Sequence, residues 1–149
     1  MSRDYSYRFS PSEAYRAFVK AGIPLPDDLL TLPSIEISNH KTLPKVSGVY
    51  FFLLDGEPVY IGESCNIKSR ICSHPMRQTI KDWRVESRTR LAWIEVSAEL
   101  RGGFQCAAIL KWCPPYGIDY GLHIVMDKEA YGKKAEQIMV KIHQIIAEL

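Results

Sequence analysis

The sequence predicts a mixed α/β domain with a small, mostly antiparallel sheet flanked by helices. Three observations predict it. Val49 to Leu54 is an unbroken β-favouring run, Asp55-Gly56 behind it is a tight-turn signal, and Val59 to Gly62 reads as the returning strand. Leu91 to Ala98 (LAWIEVSA) reads as a third strand. Helical patterns lie before, between and after these strands, giving the order helix, hairpin, helix, strand, helix, then a C-terminal strand and helix.

In chain order, residues 10 to 21 come first, as a helix. Ser10 suits the cap, Pro11 the first helical position, and Glu13 completes a capping box. Tyr15, Phe18 and Val19 fall on one face, and Gly22, Pro24 and Pro26 end the helix. A proline-punctuated stretch runs to Pro44, with one short helix or turn at Asp27 to Leu30. Asn66 caps a short helix that Pro75 should end near His74. Phe104 to Trp112 reads as a helix stopped by Pro114-Pro115. Leu122 to Met126 reads as extended. Lys133 to Ala147 is a last helix with Ile138, Ile142, Ile145 and Ile146 as its apolar stripe. The expected organisation is one compact unit: a helical lead-in over 1–42, a core over 43–117, and a strand-and-helix extension over 118–149.

A chain of 149 residues buries enough apolar surface to fold without staples. No apolar run reaches membrane-spanning length, and MSRDYSYRFS lacks a secretory h-region. Cys65, Cys72, Cys106 and Cys113 form no CxxC pair, which argues against a zinc module and for reduced thiols in a cytoplasmic protein. Net charge is only +2, but its distribution is uneven. Lys68, Arg70, Arg77, Lys81, Arg84, Arg88 and Arg90 are opposed only by Asp82 and Glu86, so this segment carries +5. Such clustering suits a phosphate backbone, although a solvated face gives the same count.

Chemistry concentrates around two tyrosines, Tyr50 in Gly48-Val49-Tyr50 and Tyr60 in Tyr60-Ile61-Gly62. They lie on paired strands, and glycines at the strand ends allow close approach of a backbone or ligand. Arg70 and His74 follow, four apart, and on one helix would share a face. An arginine fork suits phosphate, and histidine suits proton exchange near neutral pH.

GVY, nine residues, YIG, then Asn66, Arg70 and His74 resembles the opening of the GIY-YIG nuclease domain, and Leu43-Pro44-Lys45-Val46-Ser47 resembles its lead-in. Neither tripeptide is specific alone; both at this spacing, followed by the asparagine and arginine, are. The resemblance covers roughly residues 43 to 117. It implies a metal-dependent endonuclease that cuts duplex DNA with one Mg²⁺ or Mn²⁺ ion. By that resemblance Tyr50 and Tyr60 order or activate the attacking water, and Arg70 neutralises charge on the scissile phosphate. His74 would assist proton transfer or contact phosphate, as in restriction-enzyme members. Lys68, and more broadly Arg77, Lys81, Arg84 and Arg88, would contact DNA.

The resemblance also implies one metal-holding carboxylate on the helix before the prolines. Counted back from Pro114-Pro115, that position is Gln105, and the asparagine often found past the prolines is Gly117. An amide has glutamate's shape without its charge, and a hard cation needs anionic oxygen. The chain is therefore expected to keep its fold and DNA surface while cleavage is severely impaired. Glu63, Glu95, Glu99 and Glu136 are the other acids weighed as ligands. Glu63 is expected to point to solvent and Glu95 away from the core. Retention of Tyr50, Tyr60, Arg70 and His74 favours a disarmed nuclease over a natural DNA-binding pseudo-nuclease, and an enzyme of structured RNA is a third reading. Site choice is expected from the added segments or from a homodimer.

Overall fold

The computed structural model describes residues 11–116 and 128–149. Its centre is a four-stranded antiparallel sheet in the order β1-β4-β2-β3. The strands are β1 (Ser34–Glu36), β2 (Gly48–Leu54), β3 (Glu57–Ser64) and β4 (Thr89–Glu95), and the helices are α1 (Pro11–Ala21), α2 (Ile67–Cys72), α3 (Pro75–Asp82), α4 (Arg101–Trp112) and α5 (Lys128–Ala147). This is the small antiparallel α/β architecture the sequence predicts. The expected Ser10 cap and the Leu122 to Met126 strand lie outside the described residues.

The hairpin forms as expected: Asp55 and Gly56 both take positive φ, the condition for a tight turn between twisted strands. Its register carries a bulge, with Phe52 opposite Tyr60 but Leu53 opposite Pro58. The extra residue, Val59, breaks the alternation, so Val59 and Tyr60 both join the cluster on one face while Ile61 joins the other.

β2 is buried along its whole length because both faces of the sheet are covered. On one face Val49, Phe51, Leu53 and Ile61 pack with Phe18 of α1 and with Phe104, Ala108 and Ile109 of α4. On the other, Tyr50, Phe52, Leu54 and Leu91 pack with Ile67 and Ile71 of α2 and Met76 and Ile80 of α3. A sheet buried on both sides reads as a continuous apolar run, which is why GVYFFLL shows no alternation. Helix α5 gives Tyr131 to the first cluster and Ile138 and Ile142 to the second.

Several expectations change. Strand β1 pairs with β4, and Arg90 of β4 reaches across to the hydroxyl and carbonyl of Ser34, so part of the expected lead-in belongs to the sheet. β4 ends at Glu95 rather than Ala98; beyond it Val96 bonds the Ser47 carbonyl. Val19, placed on the packed face of α1, is 57% exposed. Helix α4 starts at Arg101 and α5 at Lys128, each earlier than the sequence suggested. Helix α3 was missed, although Pro75 at its first position and the Met76/Ile80 pair are its sequence signals.

Candidate active site

The second face of the hairpin brings the motif aromatics together. Tyr50 and Tyr60 stack with ring centroids 6.2 Å apart and planes 9° from parallel. Tyr50 is fully buried and Tyr60 is half-buried. The motif glycines have separate reasons. A Cβ on Gly62 would stand 2.3 Å from the Tyr50 hydroxyl, so Gly62 makes room for that ring. A Cβ on Gly48 would stand 2.1 Å from the Ile94 carbonyl, so Gly48 lets β2 and β4 close.

His74 completes the cluster, but not as expected. It does not share a helix with Arg70: α2 ends at Cys72, and His74, at φ −74° and ψ 130°, is the N-cap of α3. The physical reason is Pro75, whose ring disfavours helical backbone in the preceding residue. His74 Nδ1 accepts from the Met76 amide at 3.0 Å, so the neutral ring carries its proton on Nε2. The imidazole is 5% exposed and lies edge-on to Tyr60 at 4.5 Å and to Tyr50 at 5.6 Å.

Arg70 sits in the last turn of α2, a helix capped by the Asn66 side chain on the Ser69 amide at 3.1 Å. Its Nε is buried and has no hydrogen-bond partner among the described residues. A buried guanidinium nitrogen without an acceptor is costly, and an anion would relieve it.

The edge strand β3 carries a different set of contacts. Tyr116 donates its amide to the Val59 carbonyl at 3.1 Å. Gln105 of α4 is 3% exposed and donates its Nε2 to the Ile61 carbonyl over a long 3.4 Å. One turn earlier on the same helix face, Arg101 donates its Nε to Glu63 Oε2 at 2.5 Å and its Nη1 to the Ser47 hydroxyl at 3.1 Å. Glu63 therefore does not point to solvent; it is 3% exposed and ion-paired. Extending the strand alternation one step, from Ile61 to Glu63, would have put it on the α4 side. Burial, with Glu63 adding to it, pushes the neighbouring Cys106 thiol up to about 11.

The remaining expected contacts are spread over the surface of the α2–α3 side. Lys81 and Arg84 are exposed, and Lys68 and Arg77 half-buried. Arg77 donates to the Cys72 carbonyl at 2.7 Å. Arg88 is engaged instead by Asp55 of the hairpin turn, Nε to Oδ1 at 2.9 Å with a second nitrogen on the other oxygen. Glu95, Glu99 and Glu136 are exposed. Tyr116 packs on Trp83 at 5.6 Å, and Trp112 on Phe51 at 6.0 Å.

The fold and this cluster define a small α/β domain with paired GVY and YIG strands. No protein-family model matches the chain, and no curated protein matches it. Among solved structures, it is similar to the GIY-YIG N-terminal endonuclease domain of UvrC from Thermotoga maritima bound to magnesium. Identity is 29% and TM-score 0.43, over 52% of this chain and 89% of that one. Two point mutants of the same domain, each bound to its catalytic divalent cation, match at 28% identity and TM-score 0.43, over 52% of this chain and 88% of theirs.

Whether this chain's own residues suit such a cation is decided by their donor atoms. Gln105 turns an amide nitrogen to the Ile61 carbonyl. Glu63 is neutralised by Arg101. No group of three or more His, Cys, Asp or Glu side chains among the described residues could hold a metal ion. A hard divalent cation needs anionic oxygens, so Gln105 and the Arg101-paired Glu63 do not fit it.

Proposed function

We infer that this chain is a DNA-binding domain of the GIY-YIG nuclease type whose metal-dependent hydrolysis of phosphodiester bonds is disarmed at position 105. The observation that supports this reading is the pairing of an aromatic cluster with amide and ion-pair contacts at Gln105 and Glu63. Tyr50, Tyr60 and His74 stand together on one face, while Gln105 and Glu63 are both occupied by protein groups.

Each retained residue has a role in holding a phosphodiester. Arg70 offers its buried Nε to a phosphate oxygen, which would satisfy that donor. His74 carries a proton on Nε2 and so acts as a donor toward a phosphate or leaving oxygen. Tyr60, half-buried over His74, orders water at the rim, and Tyr50 sets the position of both rings. Lys68, Arg77, Lys81 and Arg84 supply the electrostatic attraction for backbone phosphates. Residues 1–42 and 118–149 would add to a core at 43–117, with site choice residing in those additions or in a dimer.

The second reading, a pseudo-nuclease that binds DNA without cutting it, is favoured by one specific contact. Arg101 gives Glu63 a built-in cation, so the seam holds its charge without a metal. Cleavage of duplex DNA with Mg²⁺ and with Mn²⁺, by this chain and by Gln105→Glu, separates the two. Cutting by the variant alone supports a disarmed nuclease. Binding without cutting by either supports the pseudo-nuclease. Efficient cutting by the parent chain would show that the metal carboxylate lies elsewhere.

A further inference from the structure

A cleft of about 520 Å³ opens between the 3-10 segment Ile37–Thr42 and the corner where α2 meets α3. We propose that this cleft seats a backbone phosphate of the bound nucleic acid, next along the strand from the one held by Arg70. The inference rests on the DNA-binding reading above and extends it to a wall outside the hairpin and its helices.

The chemistry of the lining points to an anion. Arg77 and Lys81 stand four residues apart on α3 and so share its cleft side. Arg77 is pre-positioned by its bond to the Cys72 carbonyl, which leaves the rest of its fork for another acceptor. Lys81 makes no ion pair among the described residues. Glu86 is the one acid in the lining, so two cations face one anion.

The opposite wall supplies His40 and Ser38. His40 holds its ring by donating Nδ1 to the Ile37 carbonyl at 3.1 Å, and Ser38 is exposed beside it. A carbonyl can only accept, so Nδ1 is the donor in this contact. Hydroxyl and N–H groups with two cations suit a monoanionic phosphodiester and its water better than a bare divalent cation.

Position selects a nucleic acid over a free anion. His74 belongs to both places: it lines the cleft, and its ring touches Tyr60 and Tyr50. A strand lying over the tyrosine cluster is thereby led into the cleft. The segment Ile37–Thr42, N-terminal to the GVY strand, then helps fix the direction in which that strand lies.

Titrating a short DNA duplex into the ¹⁵N-labelled full chain tests this. The backbone amides of Ser38 and Gln78, on opposite walls, are expected to shift together. Lys81→Ala, on an exposed helical position, should weaken binding several-fold and reduce the salt slope by about 0.9, the share of one phosphate contact. Ser38→Glu should weaken binding in the same direction, and Lys133→Ala on α5 should change nothing. If the duplex binds with Ser38 and Gln78 unmoved and the Lys81→Ala slope intact, the cleft is not a phosphate seat, and the DNA reading survives. If no duplex binds the parent chain, both fall together.

Discussion

The tyrosine face and the seam between α4 and the β3 edge lie on the same hairpin, and they treat polar groups in opposite ways. On the tyrosine face, Tyr50, Tyr60 and His74 crowd ring against ring, and on α2, which packs on that face through Ile67 and Ile71, Arg70 keeps a buried nitrogen without a protein acceptor among the described residues. On the seam, the contacts are internal: Arg101 answers Glu63, Gln105 answers Ile61, and Tyr116 answers Val59. A region that leaves donors for a ligand is built to bind; a region that closes its own bonds is built to hold. The difference teaches that one hairpin can leave a buried donor unanswered on one side while it closes its own polar contacts on the other.

The sharpest way to break this comparison is to open the seam. Arg101→Ala takes the guanidinium away from the buried Glu63 carboxylate, which should cost about 3–5 kcal/mol of stability, read by chemical denaturation. A loss below about 1 kcal/mol would mean that the pair is solvated and the seam is not closed.

Gln105→Glu tests the same seam from its other contact. It puts a buried carboxylate against the Ile61 carbonyl, beside an acid already served by Arg101. Without metal it should cost about 3 kcal/mol. A melting temperature that rises with added Mg²⁺ in this variant, and not in the parent chain, would locate the cation at residue 105 independently of cleavage.

Alkaline pH probes the dry side of the sheet. Burial raises the Cys106 thiol from 9.0 to about 11, with Glu63 adding to it. A raised value in the folded chain means that the unfolded chain loses its proton first. Stability is therefore full below pH 9 and falls as pH rises toward 11, by roughly 2–3 kcal/mol. Burial also raises Cys113, Tyr116 and Tyr131, which act in the same sense. Cys106→Ala should flatten part of this loss in denaturation curves measured at pH 8 and pH 11.

On the tyrosine face, Gly62→Ala drives a methyl into the Tyr50 ring. The expected cost is about 1–3 kcal/mol, with a changed near-ultraviolet dichroism from the displaced aromatics. The smallest effect is expected at the exposed pair Lys141–Glu57, 2.7 Å apart. Lys141→Ala should shift stability by less than about 1 kcal/mol, against the large loss at the buried pair.

Much of this was legible in the residues. The hairpin, its turn, α4 and the apolar stripe of α5 follow from runs, turn chemistry and proline stops, which act over a few neighbours. Tyr50, Tyr60, Arg70 and His74 could be named as a set, but not where His74 would sit. Its place is set by a local rule and by the second helix that follows: the residue before Pro75 leaves α2 and caps α3. Strand β1 was missed because three residues carry no period, and only β4 gives them a reason to extend.

By itself, the sequence determined the antiparallel hairpin, the spacing of the motif tyrosines and the uncharged amide at position 105, because each depends on residue type and short-range order. Only the tertiary structure decided what surrounds them. The bulge at Val59, the burial of Glu63 under Arg101, the amide of Gln105 on Ile61 and the cleft between Ile37–Thr42 and α3 all depend on segments far apart in the chain. Such contacts are set by which polar groups must find partners when helices close over a sheet edge, and no local pattern records that choice.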